Sequence, residues 1–357
     1  MKFNFYILGS EQERPSSRKT IFVDGSPDSS FREGIDMELS HWIPNQTPER
    51  YKADTSTEIC MKFISEESSE DWDLAINNHL DVDGVLSIFT LVYPDFALAH
   101  RQTIIEAAEM GDFWAWGSEP AQRLFQGLTL LMNDLRSQDT DIQTIYEKCF
   151  QKAMELIEGN TEDERILKGI RALQDSLHKV ESGEIERKVY HNRFVHYHIP
   201  AKTMSGQMDQ ALKVPEFNAA LADDLLLYPQ VRSLKDREKV HMVSIEGKDG
   251  TYYDLWYPGY MWADTPDSWR APGFIFKGST NGYFFGYPPL QGAIDKMKAA
   301  ESAKGTWTLV QELSPFSSIK GRNYPVVLSF IGEGHEPAAS HLKPDEVAQV
   351  LAEAFKG

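Results

Sequence analysis

The sequence predicts a two-domain α/β protein: a mainly parallel sheet domain with a helical segment attached, then a smaller C-terminal α+β domain. Three observations lead there. The first hundred residues alternate short apolar bursts with polar loops, as strands feeding helices do. From 96 to 186 apolar residues recur at helical spacing. Beyond 233 two alternating runs flank a Lys-Asp-Gly turn, the mark of a hairpin. The chain has 357 residues, enough for two cores. The predicted divisions are 1–95 for the sheet core, 96–186 for helices packed on it, 187–232 for a connecting region and 233–357 for the α+β domain.

The elements follow in order. "KFNFYILG" and "KTIFVDGSPD" are apolar bursts ending in loops, and "DMELSHW" is a short third strand before the Pro/Asn-rich "IPNQTPERYK". "ADTSTEICMKFISE" begins a helix. Asp54, Thr55 or Ser56 can cap it, with Glu58 three residues after Thr55 as in a capping box. The acidic run 65–73 is a solvated connector, and "LAIN" reads as a strand. The apolar run after Gly84 suits a buried helix. Four more helices follow, in "RQTIIEAAEMGDF", "AQRLFQGLTLLMNDLRS", "DIQTIYEKCFQKAMELIEG" and "DERILKGIRALQDSLHKVESGEIER". "KVYHNRFVHYHIP" reads as one strand, and "VHMVSIEGKDGTYYDLWYP" as the hairpin. A helix "LQGAIDKMKAAESAK", two strands and a closing helix "KPDEVAQVLAEAFKG" complete the chain.

Composition narrows the functional classes. Lys plus Arg number 36 against 54 acidic residues, a net charge of −18. Such a field repels long nucleic acids and welcomes divalent cations, through which a small anionic substrate can still bind. No apolar run reaches the roughly 18 residues of a membrane span, and the N-terminus is too polar after Gly9 for a signal peptide, so a cytoplasmic location is expected. Cys60 and Cys149 support neither a disulfide framework nor a zinc cluster.

One string concentrates chemistry. In "NNHLDVDGVLS", His79, Asp81 and Asp83 stand at alternate positions and Gly84 follows. If the backbone leaves a sheet there, alternation aims all three to one side, at the carboxyl end of a strand where open α/β sheets bind ligands. An imidazole with two carboxylates suits Mn2+ or Mg2+. Gly84 would let the chain turn tightly into the next helix. The same residues also read as a strand end decorated with N-capping aspartates.

"HLDVDGVLS" resembles the first motif of the DHH phosphoesterase superfamily, a His-x-Asp-x-Asp-Gly string that supplies ligands to a pair of manganese ions. "IDMELSHWIPNQTPERYKADTSTEI" is similar to the namesake Asp-His-His segment, and "FVDGSPDSS" to the strand whose aspartate is shared by both ions. "GEGHEPAASHL" is similar to the Gly-Gly-Gly-His loop of the DHH-associated domain, which grips the substrate's phosphate. The order differs, since the Asp24 and His41 strands precede the His79 string; the resemblance therefore implies a circular permutation joined at 65–73. Ser40-His41-Trp42 stands where Asp-His-His is expected, and Glu333 stands for a glycine.

The resemblance implies a DHH-like core and a hydrolase of a small phosphate or phosphodiester, with its site in an inter-domain cleft and two Mn2+ or Mg2+ ions activating a bridging water. His79, Asp81 and Asp24 would hold one ion. Asp83, Asp24 and His41, with Asp112 of "AAEMGDFW", would hold the other; His41 and Asp83 are the expected catalytic residues. Gly332, Gly334 and His335 would position the substrate anion, and Arg322 in its turn could meet a phosphate, although a solvated turn is the commoner account of such a residue. His191, His196 and His198 lack an adjacent carboxylate and read as strand histidines. Ser40 and Trp42 motivate the alternative, a metal- or ligand-binding or regulatory protein that keeps the fold without turnover.

Overall fold

Four short strands at the start of the chain align side by side, all parallel. The structure, a computed structural model, describes residues 4–66, 71–159, 163–204, 206–222, 224–256, 263–266, 288–309, 326–334 and 336–356. The chain is mixed α/β and divides into two compact units. Unit 1 comprises 1–170 with 217–221 and 263–268; unit 2 comprises the remainder.

In unit 1, β1 (Asn4–Ile7), β2 (Thr20–Val23), β3 (Met37–Leu39) and β4 (Leu74–Asn77) form one sheet in the order β1-β4-β2-β3. Register is set by Asn4 and Thr20 opposite Leu74, and Ile21 opposite Met37. The residues of β2 and β4 are buried throughout, as parallel strands covered on both faces require. A 3-10 turn (Glu49–Tyr51) leads to α1 (Ser56–Glu66), where the Glu58 amide donates to Thr55 Oγ1 at 3.1 Å. Thr55 thus serves as the cap that its spacing to Glu58 suggests.

Helix α2 (Val82–Val92) is buried from Val82 to Leu91. It starts at Val82, two residues before Gly84, where Asp81 caps it: the Asp81 backbone is extended, and its side chain accepts from Gly84 N at 2.8 Å. The helical stretch continues through α3 (Pro94–Ala99), α4 (Arg101–Asp112), α5 (Glu119–Arg136), α6 (Ile142–Ile157) and α7 (Glu164–Glu181), whose later residues belong to unit 2.

Unit 2 is built on a six-stranded sheet in the order β5-β6-β7-β8-β10-β9, antiparallel except between β6 and β7. Its elements are β5 (Glu186–Tyr190), β6 (Phe194–Ile199), α8 (Ala201–Met204), α9 (Met208–Leu212), α10 (Pro229–Asp236), β7 (Val240–Glu246), β8 (Thr251–Trp256), α11 (Pro288–Ala300), β9 (Thr306–Leu309), β10 (Val326–Ile331) and α12 (Pro344–Ala354). The single strand expected over 188–200 is a hairpin, broken at His191 with φ of 55°. Phe194, Met242, Leu255, Trp307, Phe330 and Leu351 make its core. Among the described residues no helix is long and apolar enough to cross a membrane.

Candidate metal centre

Three side chains reach one place because their strands run the same way. Asp24 follows β2, His41 lies two residues past β3, and His79 lies two past β4. The carboxyl ends of parallel strands share one edge, so all three emerge there. Asp81 at the N-cap of α2, Asp83 in its first turn and Asp112 at the end of α4 join them. The alternation expected for 79, 81 and 83 is therefore not the cause. The strand has ended by Asn77, and cap and helix geometry aim the two aspartates.

The distances define two groups. His79 Nε2 lies 2.9 Å from Asp24 Oδ2 and 3.1 Å from Asp81 Oδ2. His41 Nε2 lies 3.5 Å from Asp24 Oδ1, 3.6 Å from Asp83 Oδ2 and 3.5 Å from Asp112 Oδ2. Asp24 belongs to both groups and turns one oxygen to each. In the sets Asp24–His79–Asp81 and Asp24–His41–Asp83, the potential ligand atoms lie within 4.8 Å of one another, so each set could hold a metal ion. Ligands about 2.1 Å from an octahedral ion stand about 3 Å apart when adjacent, close to the separations seen.

Both imidazoles are oriented from behind. His41 Nδ1 meets the Asp54 carbonyl at 2.6 Å. His79 Nδ1 meets Asn78 Oδ1 at 2.8 Å, and Asn78 Nδ2 donates to the Ser26 carbonyl, which fixes that amide's orientation. In each ring Nδ1 is the donor, so the neutral form directs the Nε2 lone pair at the carboxylates. Although 2.9 Å apart, Asp24 Oδ2 and His79 Nε2 are not aligned as a hydrogen bond. Asp112 Oδ2, also buried, accepts none among the described residues. Buried acceptors converging without donors fit a cation between them.

The electrostatics point the same way. Burial drives the Asp83 carboxyl up to about 6, with the Asp24 charge adding to it. Burial, then the charges of Asp81 and Asp83, push Asp112 well above the usual carboxylate range. For His41 burial acts downward, yet Asp24, Asp83 and Asp112 outweigh it and raise the ring to about 10. His79 is also raised against its burial, by Asp81 and Asp24. Asp24 is held well below its ordinary value, the charge of His79 overcoming burial. Among the described residues no Lys or Arg pairs with Asp24, Asp81, Asp83 or Asp112. Four carboxylates beside two imidazoles draw in positive charge, as protons or as a metal.

Several supporting residues escaped the sequence reading. Ser56 N and Thr57 N, at the start of α1, each donate to Asp83 at 2.8 Å, so Asp83 caps one helix from within another. Ser56 Oγ donates to Asp24 Oδ1 at 3.0 Å and Trp42 Nε1 to the same oxygen at 3.3 Å. Asn218 Nδ2 donates to Asp112 Oδ1 at 2.9 Å. Its segment is anchored by Gln126, which exchanges 2.7 Å bonds with Leu221 in both directions, and by Phe217 stacked on Trp114 at 4.2 Å. Gly84 has an ordinary helical backbone and makes no tight turn; it is needed because a Cβ there would lie 2.2 Å from Asn77 Nδ2 and 2.8 Å from Asp24 Oδ2. Ser56 was visible only as a helix cap, Thr57 was not singled out, and nothing local marks Asn218.

Gly332 and Gly334 belong to unit 2. The Gly332 amide donates to the Glu336 carbonyl at 2.9 Å. The space beside both glycines is filled by the Glu336 carboxylate, which a Cβ on Gly332 would meet at 2.0 Å and one on Gly334 at 2.5 Å. His335 and Arg322 lie outside the described residues. His196 Nε2 and His198 Nδ1 both bond Ser244 Oγ, at 2.7 and 2.8 Å, while His191 sits in the turn. Cys60 and Cys149 are buried, and burial raises both thiols.

Residues 2–225 match the model of a family of unknown function, DUF6687. All six clustered side chains fall within that span. No curated protein and no solved structure matches the chain.

Proposed function

The chain belongs to this family of unknown function, and from the geometry of its cluster we propose that it is a metal-dependent hydrolase of a small phosphate or phosphodiester, working with two Mn2+ or Mg2+ ions. The observation that carries the reading is Asp24, a buried carboxylate whose two oxygens serve two ligand groups. His79, Asp81 and Asp24 would hold one ion; Asp83, Asp24, His41 and Asp112 the other. The likeness of "HLDVDGVLS" to the DHH phosphoesterase motif supports the same assignment.

Bound there, a pair of ions lowers the pKa of water and neutralises charge developing on phosphorus and the leaving oxygen. The chain's own residues do the rest. Ser56 and Trp42 orient Asp24, the α1 amides fix Asp83, and the Asp54 carbonyl sets His41. His41, Asp24, Asp83 and Asp112 are closed to water, whereas the side chains of His79 and Asp81 are 28% and 17% exposed. A substrate would approach on the His79–Asp81 side.

The test is metal content by elemental analysis together with Mn2+-stimulated hydrolysis of generic phosphomonoesters and phosphodiesters. About two ions per chain and loss of turnover in Asp83→Ala are expected. A chain that takes up no divalent ion, or whose hydrolysis survives Asp83→Ala, refutes the reading. Trp42 favours a second one. It stands where the resemblance places a second histidine and spends its indole N–H on Asp24. A binding protein would keep ligand affinity and metal but show no turnover.

A further inference from the structure

We propose that unit 2 carries an oxyanion-binding residue, Arg232, whose guanidinium lies on the Trp256 ring and takes the phosphate or carboxylate group of a small ligand. This inference is independent of the metal cluster.

Arg232, on α10, is 2% exposed. Burial lowers its pKa only to about 10, so it remains charged at neutral pH. A buried guanidinium requires acceptors, because removing a cation from water without a counter-charge is strongly unfavourable. Its natural partner is Asp236, four residues along the same helix, but that carboxylate is already engaged. Asp236 Oδ2 accepts from Arg187 Nε at 2.7 Å and from the Tyr197 hydroxyl. Its Oδ1 takes Arg187 Nη2 at 2.7 Å and Lys239 Nζ at 3.1 Å.

Asp254 contributes its field but makes no ion pair with Arg232; its Oδ1 accepts from Ser329 Oγ at 2.6 Å. His241 opposes Trp256 across β7 and β8, and burial followed by the Arg232 charge keeps its ring neutral. Arg232 Nε donates to nothing among the described residues.

What Arg232 does have is an aromatic face, with its Cζ 4.0 Å from the Trp256 ring centroid. The ring stabilises the cation but supplies no acceptor oxygen for its N–H groups, which lie in the guanidinium plane. That donor edge matches two oxygens of a phosphate or carboxylate held side by side.

The test uses the full chain in a chelator, so that no phosphate bound through a metal is read. Inorganic phosphate and, separately, acetate are titrated by calorimetry, and amide exchange is mapped with and without each. Saturable binding is expected, with protection over 229–241 and 251–256; the tighter probe identifies the group recognised. Arg232→Met should weaken binding at least about tenfold, the loss of a charged hydrogen-bond donor, without lowering the unfolding midpoint of the ligand-free chain, because an unpaired buried charge has gone. Absence of saturable binding of both probes, equal binding by Arg232→Met, or protection confined to other segments would overturn the proposal. Should that variant not fold, the wild-type exchange map decides alone.

Discussion

Replacing Gly84 by alanine sets two effects of known size against each other. In a helix interior the change favours the helix by about 1 kcal/mol. Against it, the new Cβ would lie 2.2 Å from Asn77 Nδ2, 2.8 Å from Asp24 Oδ2 and 3.1 Å from the Tyr146 hydroxyl. Ordinary contact is about 3.4 Å, so Asn77 and Asp24 must yield by roughly 1 Å and 0.5 Å; forcing a group into a packed interior costs about 1–3 kcal/mol. The ligand-free protein should therefore lose only about 0–2 kcal/mol. Metal binding should suffer far more, since a ligand atom displaced by about 0.5 Å exceeds the roughly 0.2 Å that coordination tolerates, and Asp24 serves both groups. The assay is denaturant unfolding in chelator, then with Mn2+ added. Wild type should gain stability from the ion and Gly84→Ala little or none. A variant that gains as much as wild type would show that the Asp24 oxygens are not ligands.

Asn218→Ala removes the amide that orients Asp112 and should weaken binding of one Mn2+ by about 10–100-fold, as loss of a partner behind a ligand commonly does; competition with a metal-sensitive dye reads it, and unchanged affinity at both positions would count against that role. His196 and His241 in unit 2 are lowered by burial to about 3 from an ordinary 6.5. The unfolded chain thus binds protons that the folded rings refuse. Their contribution is complete above pH 6.5 and is lost as pH falls toward 3, by up to about 1.4 kcal/mol per pH unit for each ring. Urea unfolding of unit 2, followed by exchange at β6 and β7 at pH 7 and 5, should show that slope; a His196→Gln/His241→Gln double variant with the same slope would refute it.

How legible the site was depended on how far each contact reaches along the chain. Asp24 and His41 were joined to His79 only through the likeness to the DHH motifs; the physical reason is that each follows a strand, and parallel strands deliver their carboxyl ends to a common edge. Asp81 and Asp83 were found for an incomplete reason. Alternation looked sufficient, yet one residue caps α2 and the other anchors α1, roles that exist only once the helices have packed. The capping and ligand readings of these aspartates are compatible, since a carboxylate oxygen can accept an amide and still face an ion. Asp112 had only a faint local cue at a helix end. Asn218 had none: its contact spans 106 residues and rests on the Gln126 bonds and the Phe217 stack, neither of which has a periodicity. The turn at His191 was hidden because residues 191–193, His-Asn-Arg, contain neither the Gly nor the Pro that punctuates most tight turns.

The attachment of 217–221 to unit 1 also sets an order of events during synthesis. Asp112 is polymerised 106 residues before the amide that holds it, an interval of about 5–20 s at ordinary elongation rates. Throughout that interval a nascent chain can assemble the sheet edge and its acidic groups while one of them still lacks its tether, so capture of an ion before residue 218 emerges would meet an unfinished cage.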